Sequence, residues 1–421
     1  MPRSVRWRRW PPASRPSTRI SRCCRTSALD RARLAATAAR ALAAVDLPAG
    51  AAFLEREVGE LPIATRQLVA IARAIATQAR LVIMDEPTTA LTRREVDRLI
   101  GVVEGLRGQG VAVLFVSHKL DECLAIGGQA IVLRDGRKVL EGPIRDYTKA
   151  ELGEWMTGRR LDEARYRLQA PAGPRLLEAR GLARRGSFAG VDLGLDRGAI
   201  LGITGLLDSG RNELALALAG VRPAERGELV LEGRAVRLRS SAEAIGHGIG
   251  YVPEDRLDEG LFLDKPIRDN LAVAVLDRLR GRLGLLDRRK AQAMAERMIS
   301  ALSIATPDLT RPVQSLSGGN QQRVLIGRWL AIEPKLLILH GPTVGVDVGS
   351  KDVIFRIIQR LAGEGLGVII VSDDLPELLQ NCDRILVMRK GRIARSFAAE
   401  DASESELYQA LVAEEGAEAA A

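Results

Sequence analysis

The chain has 421 residues, 46% hydrophobic but only 3% aromatic, and its 62 Lys and Arg against 53 Asp and Glu give a net charge of +9. That length exceeds one ordinary core and predicts two domains or more. No run approaches the roughly 18 consecutive apolar residues of a membrane span, and there is no apolar export signal at the start, so a soluble, unexported chain is expected. Four cysteines and three histidines show neither metal spacing nor a disulfide framework, which suits a reducing cytoplasm.

The charge is unevenly spread. Residues 1–28 hold eight Arg and no acid, and subtracting those eight from +9 leaves +1 for the rest of the chain. A nearly neutral body gives no nucleic-acid footprint. The segment, made largely of Arg, Pro, Ser and Ala without periodicity, reads as a disordered or non-native tail.

From Leu29 onward the chain repeats itself. LPIATRQLVAIARAI from Leu61 matches LSGGNQQRVLIGRWL from Leu316, an offset of 255. The offset holds without a gap through IMDEPT and ILHGPT, VLFVSHKL and VIIVSDDL, and VLRDGR and VMRKGR, so residues 61–137 duplicate 316–392. With a two-residue shift, LDRARLAATAARALAAVDL from Leu29 also resembles LDRRKAQAMAERMISALSI from Leu286. A period this long marks a duplicated domain, since solenoid units repeat every 20 to 50 residues or so. The second copy begins much earlier, near PRLLEARGL at Pro174, and contains AILGITGLLDSGRNEL from Ala199. The first copy has no counterpart of that opening third, which leads to the expectation of a truncated first domain.

Continuous apolar runs (LVIM, VAVLFV, AIVL, then AILGIT, LLIL, GVIIV, RILVM) alternate with amphipathic stretches such as RREVDRLIGVVEGL. Short, fully apolar strands between helices predict an α/β fold with a mostly parallel sheet covered on both faces. The expected divisions are a tail at 1–28, the later part of a first domain at 29–162, a Pro/Gly linker at 163–173, a second domain at 174–412, and a flexible end at 413–421.

The motifs carry phosphate chemistry. Asp85 and Glu86 close the apolar run LVIM, where one carboxylate can hold the Mg²⁺ shell through water and the next can polarise an attacking water. His118 follows VAVLFVS, 33 residues after Asp85, within expected reach of a γ-phosphate beside it. LSGGNQQ, Leu316–Gln322, precedes a helix and offers Ser317, Gly318, Gly319, Asn320 and Gln322 near a positive helix end, an anion cradle. In the second copy the acid pair is replaced by His340 and Gly341. His340 has no companion His or Cys, so it is expected to be neutral filler; His247 in AIGHGIGYV is expected in a turn.

LSGGNQQ, MDEPT, VSH and their spacings resemble the ATP-binding subunits of ABC transporters, and the duplication resembles the double-cassette ATPases of bacterial simple-sugar importers. The likeness covers about residues 29 to 412, with YVPEDRLDEGLF from Tyr251, LSGGNQQ and GVDVGSK from Gly345 the most specific stretches. It implies two tandem ABC-type P-loop cassettes, the first incomplete, with ATP and Mg²⁺ as cofactors. It also implies a peripheral place on the cytoplasmic face of the inner membrane, a membrane permease dimer and a periplasmic sugar-binding protein as partners, and permease contacts after Tyr251. In such proteins each ATP lies between one cassette's phosphate loop and the other's LSGG segment. The resemblance therefore implies one site of Asp85, Glu86 and His118 facing Ser317, Gly318 and Gly319.

The other site would use GLLDSGRN as its phosphate loop (Gly205, Ser209, Gly210, Arg211, Asn212), Glu254 in place of the family's usual Gln, and Asp373 in place of its His. Pro62 would stand where the facing signature needs Ser. Arg211 keeps the charge of the usual Lys, Asn212 loses the hydroxyl that meets Mg²⁺, and Asp208 adds a negative charge, so weak nucleotide binding without catalysis is expected there. The preferred function is the ATP-hydrolysing subunit of a monosaccharide importer, with impaired hydrolysis by the chain as given. The alternatives are a soluble, non-transport double-cassette protein and an inactive remnant.

Overall fold

A computed structural model describes residues 31–158 apart from 46, 62, 77–78, 89–92, 118 and 135, and residues 166 and 173–413 apart from 207 and 282–283. The expected tail at 1–28 and most of the expected linker at 163–173 lie outside the described residues. The chain divides into two compact units, residues 1–160 and 161–421.

The first unit contains α1 (Arg31–Ala43), α2 (Ala51–Leu54), α3 (Ile63–Ala76), β1 (Leu81–Asp85), α4 (Arg93–Gly108), β2 (Ala112–Val116), α5 (Leu120–Ile126), β3 (Gln129–Arg134), β4 (Arg137–Pro143) and α6 (Lys149–Thr157). β1 and β2 pair in parallel, and β3 and β4 form a separate antiparallel pair. One face of β1 packs Val82 and Met84 against Leu42, Val45, Leu68, Ile71, Leu99, Val103 and Leu106 from the helices. Leu120, Val132, Ile144 and Leu152 make a smaller cluster. α6 starts on a reciprocal capping box between Thr148 and Glu151 and stops at Gly158 in a left-handed conformation.

The second unit runs β5 (Arg175–Arg184), β6 (Phe188–Asp196), β7 (Ile200–Gly205), α7 (Arg211–Leu218), β8 (Arg226–Leu231), β9 (Arg234–Val236), α8 (Ser241–Gly246), β10 (Ile249–Val252), α9 (Ile267–Ala272) and α10 (Arg288–Ala301). It continues through α11 (Gly318–Leu330), β11 (Leu336–His340), α12 (Val348–Gly363), β12 (Gly367–Val371), α13 (Leu375–Asn381), β13 (Arg384–Arg389), β14 (Arg392–Ala398) and α14 (Glu404–Val412). A six-stranded sheet has the order β10-β11-β12-β7-β13-β14, parallel except for β14, and a four-stranded antiparallel sheet has the order β6-β5-β8-β9. His247 caps the C-terminal end of α8, as its expected turn position requires.

The internal repeat is a repeat of register as well as of letters. Leu81 pairs with Ala112 and Asp85 with Val116; at the same offset Leu336 pairs with Gly367 and His340 with Val371. Even the irregularity between Val132 and Leu133 in the β3–β4 ladder recurs between Val387 and Met388 in β13–β14.

The copies differ in what covers them. In the second unit β7 runs between β12 and β13, and Leu336, Ile338, Ile369, Val371, Leu386 and Met388 are buried in a core with β5, β6 and α7. Among the described residues of the first unit no strand lies between β2 and β3, and the matching face shows Leu81, Ile83, Leu114, Val116, Ile131 and Leu133 to solvent. Ile83 is 62% exposed where Ile338 is fully buried. Coverage on both faces, expected for both copies, therefore holds only in the second. The physical reason is that an apolar run needs an opposing layer, and among its described residues the first unit supplies one only from α1, α3 and α4. Ile338→Ala should cost about 2 to 5 kcal/mol in urea unfolding, whereas Ile83→Ala should cost under about 1 kcal/mol, because only the former empties a packed site.

Candidate functional site

In the first unit β1 delivers Asp85 to the C-terminal edge of the strand pair, where it is exposed. The backbone then turns left-handed at Glu86, with φ +47°, and the Glu86 N–H donates to the Val116 carbonyl at 2.9 Å. A non-glycine residue with this φ is uncommon and costs energy, and such positions concentrate at functional sites. Thr88 locks the following turn by donating to Glu122 Oε2 at 2.6 Å, and Ser117 Oγ donates to the same oxygen at 3.2 Å. Lys119 Nζ donates to the Thr88 carbonyl at 3.2 Å and sits 3.5 Å from Glu122 Oε1. His118 lies outside the described residues. Asp85 offers an exposed carboxylate oxygen, the donor type that suits a magnesium ion held through water.

The second unit builds the same frame without the acids. Gly341 turns with φ +55° and donates to Val371 O at 2.8 Å, and Thr343 Oγ1 donates to Glu377 at 2.6 Å. Burial pushes the Glu377 carboxyl upward, with Asp374 adding to the shift and Lys351, 2.7 Å away, opposing it. His340 is buried, with Nε2 3.3 Å from Glu254 Oε2 and Nδ1 3.2 Å from the Tyr251 hydroxyl. Burial, and then Arg211, lower its pKa to about 4. A neutral ring satisfies both contacts if Nε2–H donates to Glu254 and Nδ1 accepts from Tyr251. The neutral state matches expectation, but the side chain is not filler: it links β10 to Glu254.

The glycine-rich segment leaves the buried end of β7 at Gly205 and enters α7 at Arg211, with Gly210 as the N-cap at φ +87°. An added Cβ at Gly210 would lie 2.6 Å from Ser187 O, so glycine is needed for both conformation and space. Ser209 and Arg211 are buried. Ser209 O accepts from Gly391 N–H at 2.9 Å, which ties the loop to the β13–β14 turn. Arg211 Nη2 is 3.8 Å from Asp373 Oδ2, so these two expected site residues do come together. Leu207 lies outside the described residues.

At the signature segment Ser317 is the N-cap of α11, yet its side chain makes no bond to the helix backbone. Ser317 is therefore not an ordinary serine cap, and the first N–H groups of α11 are not covered by that hydroxyl. Asn320 is a positioning residue: its Oδ1 accepts from Ala305 N–H and Arg323 Nη2, both at 2.8 Å, and its Nδ2 donates to Ser317 Oγ at 2.9 Å. Gln322, expected among the nucleotide contacts, is 2% exposed and belongs to the interior of the unit. The reason is helical phase, because α11 packs a wide face against the core. Pro62, the expected counterpart of Ser317 in the first copy, lies outside the described residues.

Sequence reasoning missed three groups here. Arg256 donates to the carbonyls of Val344 at 2.6 Å and Gly345 at 3.0 Å, holding the turn after β11. Thr88 with Glu122, and Thr343 with Glu377, are the others. Both pairs keep a separation of 34 residues at the 255 offset, a signal that was present in the repeat.

A central parallel strand, a glycine-rich loop into a helix, and a neighbouring strand ending in an acid pair or its relic define a P-loop nucleotide-hydrolase cassette. Residues 188–344 match the ABC transporter family model. A ribose import ATP-binding protein of Rubrobacter xylanophilus is 44% identical over 363 residues, 86% of this chain and 70% of that protein. One from Rhizobium etli is 44% identical over 351 residues, 83% of this chain and 68% of the relative. A putative ribose/galactose/methyl galactoside import ATP-binding protein of Burkholderia cenocepacia is 41% identical over 380 residues, 90% and 73% of the two chains. The chain belongs to the ABC transporter family, among its import ATP-binding proteins. It is thus an ATPase of the ABC type, with the α/β cassette fold and with ATP and Mg²⁺ as the family's cofactors.

Two outcomes test this geometry. Gly341→Ala should destabilise the chain by about 1 to 3 kcal/mol, since it strains φ and puts a methyl 2.8 Å from Val344 Cγ2. His340, with a folded pKa of about 4 against an ordinary 6.5, contributes nothing to the pH dependence above pH 6.5. As pH falls from 6.5 to 4 the unfolded chain takes up a proton that the folded chain refuses, so stability drops by on the order of 3 kcal/mol. In urea titrations at stepped pH, His340→Gln should remove that portion of the acid sensitivity.

Proposed function

We propose that this chain is the ATP-binding subunit that energises import of a monosaccharide of the ribose or galactose kind through a separate membrane permease fed by a sugar-binding protein. The relatives named above are import ATP-binding proteins for such sugars, which supports the substrate class. No helix among the described residues is long and apolar enough to cross a membrane, which is consistent with peripheral attachment at the cytoplasmic face through the permease.

The observation that carries the mechanistic part is the pair of superimposable turns, one with acids and one without. The turn after β1 keeps Asp85 and a left-handed Glu86, while the turn after β11 has His340 and Gly341. We therefore assign ATP turnover to the first cassette, with Asp85 holding Mg²⁺ through water, Glu86 polarising the attacking water, and His118 at the γ-phosphate. Ser317, Gly318 and Gly319 contribute an anion-binding helix end. Gly205, Ser209, Gly210, Arg211, Asn212 and Glu254 form the phosphate-binding region of the second cassette, which binds without turning over. Phosphate release by the full chain is expected to be low, and what there is should fall at least about 10²-fold on Glu86→Gln, with the variant's unfolding midpoint little changed. Release that is indifferent to Glu86→Gln would sink the assignment.

A further inference from the structure

The second cassette contradicts itself in a useful way. Its phosphate loop keeps buried donors that have no partner, while the groups that would hold a metal are gone. Arg211 is 5% exposed, yet its Nε and Nη1 make no hydrogen bond, and Ser209 Oγ beside it is likewise buried and unpaired, whereas the buried Asn212 Oδ1 is an acceptor and offers a phosphate nothing. Leaving a buried guanidinium this poorly paired is costly unless a ligand completes it. All three residues lie where β7 turns into α7, whose N-terminal N–H groups add positive potential. Arg211's nearest acid, Asp373, is 3.8 Å away and its side chain is 76% exposed, so it can swing aside for an incoming anion.

The metal half does not fit. Magnesium takes hard oxygen ligands, and at this site the strand-end carboxylate is replaced by His340, the following acid by Gly341, and the loop hydroxyl by Asn212. His340 has both ring nitrogens engaged, one by Tyr251 and the other by Glu254. No group of three or more His, Cys, Asp or Glu among the described residues is arranged to hold a metal ion. Beside the loop, a groove bounded by Arg185, Phe188, Asp208 and Lys390 is open for the rest of a ligand.

We infer that the second cassette binds the phosphates of a nucleoside di- or triphosphate without a divalent cation, through Arg211 and the α7 N-terminus, because the groups that would hold the ion are replaced. The inference rests on the nucleotide-binding role proposed above. The acid pair that would hold the ion is absent at positions 340 and 341, while Glu254 is engaged by His340 and Asp208 and Asp373 are exposed. Keeping carboxylates without the ion would set like charges against the phosphates.

The test is equilibrium dialysis of radiolabelled ATP against the full chain carrying Asp85→Asn and Glu86→Gln, which removes the metal carboxylate assigned to the first cassette, in excess MgCl₂ and in excess EDTA. The expected result is binding in EDTA within about threefold of that in magnesium, weakened at least about tenfold by Arg211→Gln, as loss of charged hydrogen bonds implies. Because Arg211→Gln can also disturb folding, a second variant works in the gaining direction. Asn212→Thr with His340→Asp restores a hydroxyl and a carboxylate, and magnesium should then tighten binding at least tenfold. Binding seen only with magnesium, EDTA binding that ignores Arg211→Gln in a folded variant, or a double variant that stays indifferent to magnesium would each overturn the inference. Absence of ATP binding in both buffers would instead overturn the nucleotide-binding role itself.

Discussion

The chemistry of this chain hangs from one backbone constraint. The residue that follows a parallel strand of the repeat must turn left-handed so that its N–H can reach the carbonyl at the end of the neighbouring strand. Positions 86 and 341 both do so, with φ +47° and +55° and bonds of 2.9 and 2.8 Å to Val116 and Val371. Glycine takes that conformation freely, whereas glutamate pays a local penalty on the order of 1 to 3 kcal/mol. A glutamate kept in a strained position, next to an exposed aspartate, is better support for a working carboxylate than the four letters DEPT alone. Where the acid has been lost, the strain has gone with it.

The threonine locks show how the rest of each site is built on that turn. Thr88 reaches Glu122 across 34 residues, and Thr343 reaches Glu377 in the same way. Each lock ties the turn after one strand to the helix after the next. A lysine joins each lock, Lys119 at 3.5 Å from Glu122 and the part-buried Lys351 at the closer distance of 2.7 Å from Glu377. The scaffold has thus been kept where the catalytic groups have not.

Much of this was legible in the residues. A gapless offset of 255 implied equal strand register, because a slip of one residue would turn every apolar side chain to the wrong face. The observed ladders keep that register down to the shared irregularity in β3–β4 and β13–β14. What could not be read was coverage. LVIM and LLIL are equally apolar, but Ile83 is exposed and Ile338 buried, since an apolar run records a capacity for burial and not the presence of the layer that fills it. Nor could spacing separate Asn320, which positions its neighbours, from Ser317. That distinction lives in contacts to Ala305 and Arg323, which no local pattern encodes.

The replaced acids of the second cassette then make sense as one change. Burial drives His340 toward its uncharged form and raises the Glu254 carboxyl, with Asp373 adding to the latter shift and Arg211 opposing it. Arg211 places a buried guanidinium in the same region. The remaining acids, Asp208 and Asp373, are exposed, and water screens them. The interior of the site therefore carries a buried guanidinium and a helix end with no strand-end acid pair beside them. That environment favours a phosphate and lacks the two acids that would hold a divalent cation in the first cassette.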